Sequence, residues 1–224
     1  MLLAIDTSAG TAVAAVAEDG RVLAQRSTPD TRRHAEVIGP FLAEVLAEAE
    51  GAVATTHGVG HEAGAGGTAP PEALTAVAAG IGPGPFTGLR VGIAAAHAVA
   101  LARGVPLLPV PSHDAVALQL IEGGVAAGRF LVVTDARRRE VAITEYSAAL
   151  PLPTVLTPAR LEPRLTFAAE EGVATYEVTE IPAVHLAHVA AARRAASASF
   201  PDPQPLYLRA PDVTLSAGPK RVTS

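Results

Sequence analysis

Apolar residues fall along this chain in runs of two lengths. Short runs at 2–5, 11–16, 76–79, 105–110, 129–133 and 140–146 have the length of buried or half-buried strands. Asp6-Thr7-Ser8-Ala9-Gly10 is the turn between the first two. Asp19-Gly20 is a hairpin signal leading to a third strand over 21–25. Residues 34–50 instead place Val37, Ile38, Phe41, Leu42, Val45 and Leu46 on one helical face, with Pro40 near the first turns. Further helices are predicted over 86–103, over 114–121, and late in the chain around His185 and His188. Residues 51–71 are dense in Gly and Pro and lack apolar periodicity, which reads as a flexible surface loop. From Pro201 onward, repeated prolines predict an extended strand of chain, and 213–224 reads as a disordered tail.

The order β-β-β-α-β-α-β is that of an α/β domain of ribonuclease-H-like, actin type. A second half starting near Pro111 reads as a shortened echo of the first. The expected organisation is therefore two tandem actin-like subdomains, 1–110 and 111–212. The most informative stretch joins strand to helix, from Gly80 to Gly92. Gly82, Pro83 and Gly84 permit a sharp turn, and Pro85 suits a helix start. The helix after it repeats small residues at every fourth place: Gly88, Gly92, Ala96, Ala100. Such a ridge admits another backbone unusually closely. Two uses fit it: seating the helix on its own sheet, or receiving a partner.

Composition narrows the function. A chain of 224 residues with 49% hydrophobic and 17% charged residues has ample core for an ordered protein. No apolar stretch has the length of a membrane span, and Asp6 interrupts the start too early for a signal peptide. The absence of Cys excludes disulfides and thiolate metal sites and suits a cytoplasmic location. With 17 basic and 22 acidic side chains, net charge −5, the chain by itself is a poor grip for a nucleic-acid backbone.

Several features in this order resemble the bacterial TsaB (YeaZ) family. They are 3–8 with Asp6-Thr7-Ser8, His34 heading the first helix, Gly82–Gly92, Asp135-Ala136-Arg137-Arg138 before Glu140-Val141, and Pro205-Leu206-Tyr207-Leu208-Arg209. The resemblance runs from residue 2 to about 212 and implies the actin-like/Hsp70/sugar-kinase fold. It also implies a non-catalytic subunit of the complex that forms N6-threonylcarbamoyladenosine beside the anticodon of tRNAs reading codons that begin with A. The implied partners are the catalytic TsaD paralogue, the TsaE ATPase and, through the complex, tRNA. A homodimer of the isolated chain is a further implied pairing. No cofactor is implied for this chain alone; ATP and a metal act through its partners. The implied docking residues are His34, Val37, Phe41 and Val45 on the first helix and Gly88, Gly92 and Ala96 on the second. On that reading Gly92→Leu disrupts pairing and leaves the fold intact.

The residues themselves bear on catalysis. In the TsaD-type paralogue a metal-binding His-x₃-His pair follows the segment equivalent to 105–110. Ungapped alignment puts Ser112 and Val116 at those places, and Val116 cannot ligate. His113 and Asp114 lie close by with the wrong spacing. His57 and His61 have the right count but stand in a Gly-rich stretch, and His185 and His188 lack a carboxylate at helical spacing in their segment. Candidate anion contacts are Asp6, Thr7 and Ser8 in the first turn and Arg137, Arg138 and Arg139 in the second. Three arginines offer no Gly-lined phosphate cradle, and the only lysine is Lys220. The expectation is therefore no catalytic residue and no metal site. No Gly-x-Ser-x-Gly elbow supports a peptidase. Two readings stay beside the subunit: an independent actin-fold ATPase or kinase, and a homodimeric binding protein unconnected with tRNA.

Overall fold

The computed structural model describes residues 1–56 and 73–209. The expected tail at 213–224 and the pair His57/His61 lie outside the described residues, as does most of the loop expected at 51–71. The first half carries β1 (Leu2–Asp6), β2 (Thr11–Val16), β3 (Val22–Thr28), α1 (His34–Thr56), β4 (Ala76–Gly80), α2 (Phe86–Arg103) and β5 (Leu107–Val110). The second half carries α3 (Ser112–Glu122), β6 (Arg129–Asp135), β7 (Glu140–Ser147), β8 (Thr154–Pro163), β9 (Ala174–Glu177) and α4 (Ala183–Ala195).

Two sheets result, ordered β3-β2-β1-β4-β5 and β8-β7-β6-β9. The β1–β2–β3 meander is antiparallel, while β4 and β5 join parallel to β1 through the helical crossovers. Alternation along β1 divides the core. Leu3 and Ile5 meet Val45, Ala49, Ala96 and Ala100 of α1 and α2 on one face. Leu2 and Ala4 face the opposite way, into a cluster with Val116 and Leu118 of α3 and Leu186 and Val189 of α4. Phe130, Val132 and Tyr146 of the second sheet belong to that same cluster, so α3 and α4 are the filling between two sheets. The layers read α1/α2, first sheet, α3/α4, second sheet.

Three differences from the sequence reading have local causes. The first helix runs past Glu50 to Thr56, so the opening residues of the expected loop are helical. β8 and β9 were not expected. Both lie at sheet edges with no fully buried position, and β8 holds Pro158, which an edge strand tolerates, so neither shows a buried alternating face. β3 extends to Thr28 through the polar run Gln25-Arg26-Ser27, again as an edge. α2 has the expected bounds. It closes on Gly104 at φ 63°, which lets the Val105 N–H return to the Ala100 carbonyl at 3.0 Å.

Candidate functional site

The β1–β2 turn and the glycine block are built into one another. Asp6 is 1% exposed. One carboxylate oxygen accepts the Ser8 N–H at 2.7 Å and the Ser8 hydroxyl at 2.6 Å; the other accepts the Ser112 hydroxyl. Ser112 in turn accepts the Gly82 N–H at 3.0 Å. Burial pushes the Asp6 carboxyl above its ordinary value, against the opposing pull of the Ser112 and Ser8 hydrogen bonds. Gly80 has to be glycine, because a Cβ there would lie 1.8 Å from the Asp6 carboxylate. Gly84 is fixed likewise by the Ser8 carbonyl, 2.6 Å from its would-be Cβ.

Thr7 makes the equivalent junction with α2. Its hydroxyl donates to the Gly88 carbonyl at 2.7 Å and accepts the Gly92 N–H at 3.0 Å. These two groups stand four residues apart, so one side chain bridges a turn of the helix from outside. A Cβ on Gly88 would meet the Thr7 carbonyl at 2.7 Å, and one on Gly92 the Thr7 hydroxyl at 2.2 Å. The small-residue ridge therefore seats α2 on its own β1–β2 turn, and Gly88, Gly92 and Ala96 are buried within the chain. As partner-facing residues they are corrected, because their open side is already filled. His34 and Val45 are corrected too. His34 is buried, with Nδ1 2.8 Å from the Thr11 hydroxyl, and Val45 is fully enclosed. Burial holds the His34 imidazole below its ordinary pKa, helped by Arg137 and opposed by Asp30. Val37 and Phe41 are half-buried at the surface of α1.

This clamp has a measurable consequence. Thr7→Val keeps the shape and deletes the bridge, leaving a buried N–H and carbonyl short of a partner. Its expected cost is about 1–3 kcal/mol in urea denaturation, whereas Thr7→Ser retains the hydroxyl and most of the stability. Equal losses in the two variants would contradict the bridge.

Asp6, Thr7 and Ser8 direct their polar atoms at one another and at α2 and α3. That corrects their reading as anion contacts: the turn is occupied by the protein's own hydroxyls. At the places where the paralogue has paired histidines, Ser112 holds Asp6 and Val116 is fully buried in the core. Their neighbours form a network that sequence reasoning missed. His113 lies between the Thr144 and Thr134 hydroxyls at 2.8 and 2.9 Å, and burial lowers its pKa to about 3. Asp114 accepts from the Tyr146 hydroxyl at 2.7 Å and from Arg193 at 2.8 Å. Burial raises the Asp114 carboxyl above its ordinary value despite both partners. Tyr146 and Arg193 stand far from Asp114 in sequence, and no spacing rule could have joined them.

Arg137, Arg138 and Arg139 form the exposed tip between β6 and β7, with φ of 65°, 54° and 64°. Three consecutive non-glycine residues in the left-handed region are strained. Arg137 hydrogen-bonds Thr31, so the tip reaches the entry to α1. Between this tip and the glycine turn lies a cleft of about 370 Å³ that includes Arg138. Its wall is Phe86 stacked on Tyr207 at 4.7 Å, with the Arg90 guanidinium 3.8 Å over the Phe86 ring. Tyr207 arrives on the extended segment expected after Pro201, pinned where the Leu206 N–H meets the Ile81 carbonyl at 2.7 Å.

Comparison with known proteins agrees with this architecture. Residues 21–150 match the family described as TsaD, tRNA N6-adenosine threonylcarbamoyltransferase. An uncharacterized protein of Mycobacterium tuberculosis is 35% identical over 219 residues, covering 94% of this chain and 92% of the relative. One from Mycobacterium leprae is 38% identical over 169 residues, covering 73% of this chain and 40% of that protein. Among solved structures, YeaZ from Pseudomonas aeruginosa superposes with TM-score 0.66 at 24% identity, over 92% of this chain and 99% of that one. A second, described as an uncharacterized protein with similarity to peptidase YeaZ from Pseudomonas aeruginosa, gives 0.67 at 25%, over 93% and 99%.

Proposed function

The chain belongs to the TsaD family, in its TsaB (YeaZ) group, and on that premise we propose that it is the non-catalytic subunit of the tRNA threonylcarbamoyladenosine-forming complex. It pairs with TsaD, and the pair carries TsaE and tRNA. The observation that supports the loss of catalysis is the fate of the paralogue's metal site. Ser112 is bound into the Asp6 junction, and Val116 is core. Val116 has no ligating atom and Ser112 is already engaged with Asp6, which supports a subunit without a catalytic ion of its own.

Docking then falls to the outer faces of α1 and α2. Val37 and Phe41 are half-buried on α1, and Val91, Ala95 and Val99 repeat at i, i+4 and i+8 along α2. This apolar stripe suits a helix pair from a protein of the same fold. The Arg137–Arg139 tip is the candidate contact for tRNA phosphate. Light scattering of the chain mixed with TsaD from its own organism is expected to give a one-to-one heterodimer. The variants Val37→Glu, at a half-buried position of α1, and Ala98→Glu, at an exposed position of α2 beside this stripe, should keep the circular dichroism of the parent and lose the complex. Reconstituted tRNA modification should require this chain, while the chain alone modifies nothing. Modification of tRNA or sustained ATP turnover by the purified chain by itself would overturn the reading in favour of an independent enzyme.

A further inference from the structure

Away from that face, the helix α4 carries two histidines that the function just described does not use. His185 and His188 stand at i, i+3, so one side of the helix presents both rings. The carboxylate missing from their own segment is supplied by another element: Glu122, the last residue of α3. One ligand atom from each of the three lies within 4.8 Å of the others. His185 Nε2 is 3.5 Å from the Glu122 carboxylate, and the two rings meet nearly edge-on at 71°.

The hydrogen bonding of the pair fits ligands better than it fits a surface cluster. His188 Nε2 is 3.2 Å from the Gly20 carbonyl, which can only accept. Nε2 therefore carries a proton, which leaves Nδ1 as the nitrogen able to ligate. A ring N–H given to a backbone carbonyl is the usual way a metal-binding histidine is oriented. His185 Nδ1 is buried with no hydrogen-bond partner among the described residues, and 3.5 Å is long for any bond from its Nε2 to Glu122. Neither nitrogen of this ring is well satisfied by protein alone.

We propose that Glu122, His185 and His188 form a binding site for a divalent transition-metal ion of the Zn²⁺ class. Two imidazoles and one carboxylate are ligands that Zn²⁺ accepts and that Mg²⁺ and Ca²⁺, which prefer all-oxygen sets, do not. A tetrahedral ion about 2.0–2.1 Å from each ligand holds its ligands about 3.4 Å apart, the spacing His185 and Glu122 already have. Glu122 is the most exposed of the three and is free to close the remaining distance. The fourth position is left to water. Bound there, the ion ties the end of α3 to α4 and, through His188, to the β2–β3 hairpin at Gly20.

The test uses the full chain, stripped with chelator, in a background carrying H57A and H61A so that this pair contributes nothing. Calorimetric titration with ZnCl₂ is expected to show one saturable site and a raised Tm, with Mg²⁺ giving neither. Co²⁺ should give visible absorption of four-coordinate intensity. E122Q, H185A and H188Q should each weaken Zn²⁺ binding about tenfold or more while preserving the helical signal. The absence of a one-to-one site overturns the proposal. So does Zn²⁺ affinity undiminished in H185A and H188Q, which would put the metal elsewhere.

Discussion

Gly92→Leu is expected to abolish the cooperative unfolding transition, not to yield a folded chain that fails to pair. The first carbon of any side chain at this position would lie 2.2 Å from the Thr7 hydroxyl and 3.0 Å from its methyl. Neither can step aside, because Thr7 directly follows β1, is fully buried, and holds α2 through two hydrogen bonds. The helix cannot back away either, since Gly88 and Ala96 are packed inward on the same ridge. Gly92→Ala alone should lose about 1–3 kcal/mol to overpacking and about 1–3 kcal/mol more as the Thr7 hydrogen bonds break. Leucine adds three further carbons to a space that has none to give. Against a total stability of about 5–15 kcal/mol, that removes most of the folded state. Urea denaturation followed by circular dichroism reads the series. A Gly92→Leu chain with a wild-type midpoint would disprove the clamp. With the Gly92 side of the ridge against Thr7, this substitution is expected to read folding before it reads pairing.

Acid should find this protein through His113. The ring has a pKa of about 3 in the fold, set by burial, against an ordinary value of 6.5. Between those values the unfolded chain takes up a proton that the folded chain refuses. The His113 contribution is therefore whole above pH 6.5 and is lost as pH falls towards 3, at about 1.4 kcal/mol per pH unit. Asp6 and Asp114 act in the opposite sense. Their carboxyls are raised by burial, so the folded chain takes up their protons first as the pH falls, and this offsets part of the loss. The wild-type slope is accordingly shallower than His113 alone would give, and the comparison with His113→Gln isolates the ring. Glutamine reaches the same two threonines without titrating. Its variant should be the less stable at pH 7, and the gap should narrow by about 2–3 kcal/mol between pH 6.5 and 4.5. Chemical denaturation at the two pH values measures it, and a constant gap would mean that His113 is not held neutral.

Much of the fold was legible because its strands are short apolar runs and its helices begin and end at strong signals. The α2 bounds follow from Pro85 and Gly104, and the β1–β2–β3 meander from the Asp6–Gly10 turn and Asp19-Gly20. Among the strands, what failed was at positions where burial does not alternate, and the α1 end was set too early at Glu50. β8 and β9 lie at a sheet edge and resemble loop in composition. In the candidate site the residues were found but their directions were not. Asp6, Thr7 and Ser8 were singled out correctly as a special turn, yet whether a turn faces solvent or a helix depends on the chain returning at Gly88 and Ser112, far away in sequence. The same holds for Glu122, whose pairing with His185 and His188 exists only because α3 and α4 lie side by side.

The layer between the sheets has a consequence for association. In proteins with two lobes joined at a hinge, a partner must first wait for, or impose, one relative orientation. Here Phe130 and Tyr146 of one sheet and Ala4 and Ala14 of the other share a single apolar cluster with α3 and α4. Rocking one half against the other would open that cluster to water along its whole length. The two described halves therefore meet a partner in one preset relation, and complex formation loses little entropy in ordering one against the other.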